Sequence, residues 1–166
     1  MARGAGATGS LMCVSTMANT SLEDVAQAAT GPLWFQLYVY RDRAVTESLV
    51  RRAERAGYRA LVVTVDMPNV GRREVDVRNG FGLPPNVTLA NFEGERAQQL
   101  GEQPGTSSLA TYAAHQLDGS LTWVAIDWLS SITSLPVLVK GILTGEDAAL
   151  AVAHGVAGII VSNHGG

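Results

Sequence analysis

Three features of the sequence predict a parallel α/β fold. Five short runs are almost continuously apolar: 11–14, 33–39, 60–65, 136–139 and 158–161. Strands buried on both faces of a parallel sheet read this way. Helical patterns with their own start and stop signals separate most of these runs. Nearly every apolar run also ends, on its C-terminal side, in a polar residue.

The elements follow in chain order. The run Leu11 to Val14 leads into Ser15. A helix is expected over Ser21–Ala29, where Ser21 is placed to cap and Asp24 stands three residues on, close to a capping box. The second strand, Leu33 to Val39, carries Gln36 and Tyr38 two apart and therefore on one face. The next helix, Asp42–Ala56, places Val45, Leu49, Ala53 and Ala56 on one stripe, and Gly57 stops it. The third strand, Ala60 to Val65, runs into Asp66, with Thr64 two residues before it. The fourth, Pro136 to Val139, runs into Lys140. A helix over Thr144–Ala153 opens on Thr144, has Asp147 three residues on, and stops at Gly155. The last strand, Gly158 to Val161, runs into Ser162, with His164 two further on.

Repeated βα units argue for a parallel sheet. Five strands do not close an eight-stranded barrel, so either the sheet is open or strands are missing from this chain. The segment 67–135 breaks the alternation. It holds Pro84-Pro85, many polar residues and the stretch Gly101 to Gly105, and reads as a long active-site loop. A helix over Leu121–Ile132 is expected to close it, with Trp123 and Trp128 packing on the sheet layer.

Composition narrows the function. The chain has 166 residues and a formal net charge of -3. Its basic residues are scattered, with no excess to neutralise phosphates, so no nucleic-acid partner is expected. No apolar run is long enough to span a bilayer, and the N-terminus lacks the apolar core of a secretory signal. Cys13 stands alone, which excludes an internal disulfide and points to a reducing interior. Gly4-Ala5-Gly6-Ala7-Thr8-Gly9 fits the dinucleotide pattern G-x-G-x-x-G, but only three residues precede it and no strand does, so it is read as a chance match.

In a parallel sheet the polar residues that end the strands converge on one rim, where barrel active sites lie. Buried polar groups cost free energy unless partnered, so core packing alone does not place Gln, Thr, Asp, Lys, Ser and His there. Each also has a plainer reading. Ser15 and Thr64 can be strand-end hydroxyls satisfied by backbone, Lys140 a snorkelling surface residue, and His164 a turn residue.

The runs Trp34-Phe-Gln-Leu-Tyr-Val-Tyr40, Thr64-Val-Asp66, Gly71-Arg-Arg73, Leu138-Val-Lys-Gly-Ile142 and Gly158-Ile-Ile-Val-Ser-Asn-His-Gly-Gly166 resemble the FMN-dependent 2-hydroxyacid oxidases and dehydrogenases, a family that includes glycolate oxidase and mandelate dehydrogenase. The similarity covers nearly the whole chain. It implies a partial TIM barrel, roughly strands two to six of eight, with residues 1–166 as part of an FMN hydroxyacid dehydrogenase domain and 67–135 as its active-site loop and helix. It also implies a chain that stops before an Arg-Gln that would grip the substrate carboxylate.

Carried over residue by residue, the resemblance puts Ser15, Gln36, Thr64, Lys140 and Ser162 against FMN. Lys140 would stabilise negative charge on the reduced flavin. Tyr38 would hydrogen-bond the substrate, and Arg73, rather than its neighbour Arg72, would pair with the substrate carboxylate. His164 would be the base and Asp66 would stabilise its imidazolium. Met17 stands where short-chain glycolate oxidases carry a bulky aromatic; either it leaves room for larger substrates or it simply packs.

The implied activity is oxidation of a small 2-hydroxyacid to a 2-oxoacid, with FMN as electron acceptor and molecular oxygen as a candidate reoxidant. Relatives are homo-oligomeric, and a peroxisomal or cytoplasmic location is expected. The competing reading is a truncated product that keeps the site residues and does not retain FMN. A third reading, an isopentenyl diphosphate isomerase barrel, is disfavoured because isomerisation needs no carboxylate clamp.

Overall fold

The structure is a computed structural model that describes residues 1–68, 74–81, 84, 87–92 and 115–165. Five strands form one parallel sheet in sequence order: β1 (Met12–Ser15), β2 (Leu33–Leu37), β3 (Leu61–Thr64), β4 (Val137–Ile142) and β5 (Gly158–Val161). Sequential order with every neighbour parallel is the pattern of a barrel arc and excludes the strand reversal of a doubly wound sheet. The open question left by the sequence is thereby answered: this is part of a barrel wall.

Helices α1 (Ala2–Ala7), α2 (Leu22–Ala28), α3 (Arg43–Arg55), α4 (Glu74–Arg78), α5 (Trp123–Ser131) and α6 (Gly145–Ala153) complete the described elements. Side chains alternate along the strands. Leu33, Phe35 and Leu37 on β2, Leu61 and Val63 on β3, and Val137 and Val139 on β4 are buried in the main core, and most helices contribute to that core. On the opposite, concave face Trp34, Gln36, Leu138 and Lys140 are only partly covered.

The caps on α2 and α6 are as expected, and α3 has a further one that the sequence reading did not include. Ser21 Oγ accepts from Asp24 N and Thr144 Oγ1 accepts from Asp147 N, both at 3.1 Å, and Asp42 caps α3 through Ala44 N at 3.0 Å. The α3 stripe is turned slightly from the expected one. Leu49 and Ala53 are buried as read, but Thr46 and Val50 join them, while Val45 and Ala56 are only partly buried. Thr46 is buried because its Oγ1 accepts from Tyr40 N at 2.9 Å and so loses no hydrogen bond. Trp123 stacks on the His154 ring, with centroids 5.3 Å apart, and the Arg43 guanidinium lies over Trp128 at 5.0 Å.

The discarded G-x-G-x-x-G pattern lies mostly inside α1 rather than in a turn that opens a helix, in keeping with a chance match. The α1 helix itself was not anticipated, since glycine-rich sequence disfavours helix. The polar middle of the long insertion, including Gly101 to Gly105, lies outside the described residues. Its base is described: Tyr40 and Leu117 form an antiparallel bridge, and Arg43 pairs with Asp118 at 2.7 Å. Among the described residues no helix is long and apolar enough to cross a membrane.

Candidate active site

Parallel strands bring their C-terminal ends to one rim, and register decides which side chains meet there. Ser15 is opposite Gln36, and Thr64 is opposite Lys140. The Gln36 carboxamide is held from both sides. Its Oε1 accepts from Ser15 Oγ at 3.2 Å and from Thr16 N at 3.3 Å, and its Nε2 donates to Thr64 Oγ1 at 2.9 Å. These contacts fix which end of the amide faces which strand. Thr64 is buried, and its partner is a side chain rather than the backbone alone.

Lys140 turns inward. Its Nζ donates to Ser162 Oγ at 3.0 Å and lies 3.8 Å from Asp66 Oδ2. The snorkelling alternative is therefore excluded. The ammonium is also felt by Cys13 on β1: crowding by the chain pushes that thiol above its ordinary pKa, and the Lys140 charge offsets part of the rise.

His164 sits in a turn and in the site at once. Its φ of 64° is left-handed, a conformation that L residues seldom adopt outside tight turns. Ser162 Oγ accepts from His164 N at 3.0 Å, and Asn163 Oδ1 accepts from Gly165 N at 3.2 Å. The turn aims the ring back over the sheet, where Nδ1 lies 2.8 Å from Asp66 Oδ1 and Nε2 lies 3.5 Å from the Tyr38 hydroxyl. A carboxylate only accepts, so Nδ1 carries the hydrogen, and in the neutral ring the Nε2 lone pair faces the rim.

Tyr38, Asp66, Lys140, Ser162 and His164 are thus brought together, with Ser15, Gln36 and Thr64 in a second row along the same rim. Met17 is half-buried beside them. It packs against the core and lines an open cavity with Cys13, Ser15 and Leu89, and its backbone N donates to Ser15 Oγ at 3.1 Å. Arg73, and Arg72 beside it, lie outside the described residues.

Three contributors escaped the sequence reading. Thr16 is buried and its hydroxyl bonds Gln36 O, steadying the strand that carries Gln36. Asn91 is 2% exposed, and its Nδ2 donates to Thr16 O at 2.8 Å. Gly141 follows Lys140 at φ 116° in direct apposition to Asp66. The glycine inside an apolar strand was the one available signal, since isolated strand glycines mark bulges or close approaches.

Acid–base side chains at the C-terminal ends of parallel βα strands are the arrangement of βα-barrel enzymes. Residues 1–166 match the FMN-dependent dehydrogenase family along their whole length, and the chain belongs to that family. It is 56% identical to glycolate oxidase 1 of Zea mays over 164 residues, covering 99% of this chain and 44% of that protein. Glycolate oxidase of Spinacia oleracea is 55% identical over the same shares. Among solved structures, mandelate oxidase with (S)-4-hydroxymandelic acid superposes with a TM-score of 0.91 at 45% identity, over 99% of this chain and 46% of that one. A mandelate oxidase variant with a C4a-OH-FMN adduct gives 0.80 at 42% identity, over 99% of this chain and 43% of that one. The chain therefore spans a little under half the length of these relatives.

Proposed function

We propose that the protein bearing this chain oxidises a 2-hydroxyacid to a 2-oxoacid with FMN as electron acceptor. The observation that carries the reading is the Asp66–His164 pair, whose Nε2 meets the Tyr38 hydroxyl at the rim. The chemistry of the surrounding donor set fits a flavin. Ser15, Gln36, Thr64, Lys140 and Ser162 place hydroxyl, carboxamide and ammonium groups in rows from β1 to β5, with the ammonium beside the Asp–His pair. These five are the proposed FMN contacts.

Bound there, FMN would supply acceptance of the two electrons released by the substrate. The chain's residues would do the rest. His164 Nε2 takes the hydroxyl proton as the C–O bond becomes a carbonyl. Asp66 holds the ring in the tautomer that leaves Nε2 free and stabilises the imidazolium once the proton arrives. Tyr38 donates to the substrate oxygen and orients it toward His164. Lys140 offsets negative charge on the electron-rich side of the site. Arg73 is the proposed fork for the substrate carboxylate.

Met17 is the proposed determinant of substrate size. A flexible thioether tolerates side chains larger than glycolate's. Comparing kcat/KM on glycolate and on a longer 2-hydroxyacid tests this, and a strong glycolate preference counts against it. Homo-oligomeric assembly and molecular oxygen as reoxidant belong to the same proposal, and light scattering and oxygen consumption check them.

Anaerobic addition of a 2-hydroxyacid to the flavin-reconstituted protein is the test of the main reading. Bleaching of the flavin absorbance band that is lost in H164A supports it. A protein that stays colourless after reconstitution replaces it with the reading of a chain that keeps the rim residues but does not retain FMN. A yellow protein that no 2-hydroxyacid bleaches removes the activity altogether.

A further inference from the structure

Gly141 has no part in the chemistry proposed above, yet it is tightly surrounded. A Cβ placed on it lies 2.5 Å from Asp66 Cβ, 2.7 Å from Asp66 Cγ and 2.9 Å from Asp66 N. Among the described residues, the other left-handed glycines Gly9, Gly57, Gly80, Gly155 and Gly165 have nothing within 4 Å of such a Cβ, as befits open turns. Gly141 lies instead inside β4, at φ 116°.

The pairing explains its place. Lys140 pairs with Ile160 and Ile142 with Val161, so Gly141 is the extra residue of a bulge on the β5 side. On the β3 side Thr64 still pairs with Lys140. The bulge resets the alternation of side chains. Val139 is buried in the helix-facing core, Lys140 points to the concave face, and Ile142 returns to the core at 5% exposure. A regular strand would put Ile142 on the face of Lys140.

We infer that Gly141 is a positioning residue for the Asp66 carboxylate. With no side chain on Gly141, Asp66 lies directly against the β4 backbone. From there Oδ1 reaches His164 Nδ1 at 2.8 Å while Oδ2, which has no hydrogen-bond partner among the described residues, faces Lys140 Nζ at 3.8 Å. A methyl group at 141 displaces Asp66 by roughly 1 Å, since apolar contact begins near 4 Å. The hydrogen bond to His164 is then broken while the concave side chain of Lys140 stays. That this matters to catalysis rests on the function proposed above; the geometry does not.

The test reads the His164 tautomer by nitrogen NMR at a pH where the ring is neutral. In the parent protein His164 carries its hydrogen on Nδ1. Asp66→Ala and Gly141→Ala are each expected to lose that signature, with the His154 signals on the outer layer unchanged. Retention of the Nδ1–H form in Gly141→Ala overturns the inference, whatever the anaerobic bleaching experiment shows.

Thermal melting covers the case in which Gly141→Ala does not fold. Asp66→Gly removes the two side-chain atoms that the methyl would strike. Gly141→Ala should then lower the melting temperature less in the Asp66→Gly background than in the parent, by at least about 3 °C. Equal losses in both backgrounds assign the cost to the left-handed backbone alone and overturn the positioning role.

Discussion

His164 Nδ1 and Asp66 Oδ1 stand 2.8 Å apart although 98 positions separate them in the chain. Asp66 follows β3 and His164 follows β5, so β4 lies between their strands in the sheet. Asp66 contributes an acceptor that asparagine cannot fully replace, because the asparagine amide can turn a donor toward Nδ1 and favour the wrong tautomer. Asp66→Asn in the flavin-loaded protein is expected to slow anaerobic flavin reduction by roughly 10²- to 10⁴-fold with the flavin content unchanged. Stopped-flow absorbance measures it, and a rate within a few-fold of the parent would remove Asp66 from the mechanism.

The residues of this pair were legible in the sequence, and so was the rim they occupy. Two strand ends are marked by local chemistry, since a buried apolar run stops shortly before Asp66 and at Ser162, whereas β4 continues past Lys140 through Gly141 to Ile142. The caps on α2 and α6 were legible for the same reason, since a cap is a contact between residues three apart. What was not legible is non-local. Nothing near Asn91 in sequence announces that it will sit under Thr16, and nothing near Gly141 announces Asp66. The choice between a barrel arc and an open doubly wound sheet also rests on strand order, which periodicity does not encode. The α1 helix was missed because its glycines oppose the conformation that the fold imposes on them.

Lys140 and Cys13 are linked through the concave face. Crowding raises the thiol pKa, and the Lys140 ammonium lowers it in part by favouring the thiolate. Removing the charge in Lys140→Met leaves only the upward effect, so the thiolate fraction falls. Alkylation of Cys13 by iodoacetamide at pH 8 is expected to slow, with no change in the urea-denatured chain. An unchanged or faster rate in the folded protein would show that the ammonium does not face β1.

Glu23 and Arg52 form a two-pronged pair that ties α2 to α3, with Nε–Oε1 at 2.7 Å and Nη2–Oε2 at 2.9 Å. The Arg52 hydrogen bonds hold the Glu23 carboxyl below its usual pKa, against a smaller upward push from burial. The folded chain therefore binds this proton less readily than the unfolded one. The pair's stabilisation is full above the ordinary glutamate pKa and is lost as pH falls through the depressed folded value. Because Glu23 is 46% exposed, solvent screening limits the contribution to about 1 kcal/mol or less. Urea titrations of Glu23→Gln should show the variant less stable than the parent at pH 7, with the gap closing in acid. A gap that persists at pH 2 would assign the loss to packing instead.

Asn91 joins three elements from inside the core. Its Oδ1 accepts from Leu22 N at 2.8 Å at the start of α2, its Nδ2 donates to Thr16 O at 2.8 Å beyond β1, and its own carbonyl accepts from Arg52 Nη1 at 2.7 Å. At 2% exposure no water replaces these partners in Asn91→Ala, which leaves a buried N–H and a buried carbonyl unmet. A loss of about 2–4 kcal/mol follows from two such groups, read as a lower urea midpoint with an unchanged slope. Asn91→Asp separates the two roles. The carboxylate still accepts from Leu22 N but meets Thr16 O with like polarity, whereas the protonated acid can donate to that carbonyl. Burial beside an acceptor raises such an acid's pKa in the folded state. Asn91→Asp should therefore gain stability, relative to the parent, as pH falls from 7 toward 4. If the two proteins keep a constant gap across that range, the Asn91 Nδ2 donation to Thr16 O is not what steadies the rim segment that carries Ser15 and Met17.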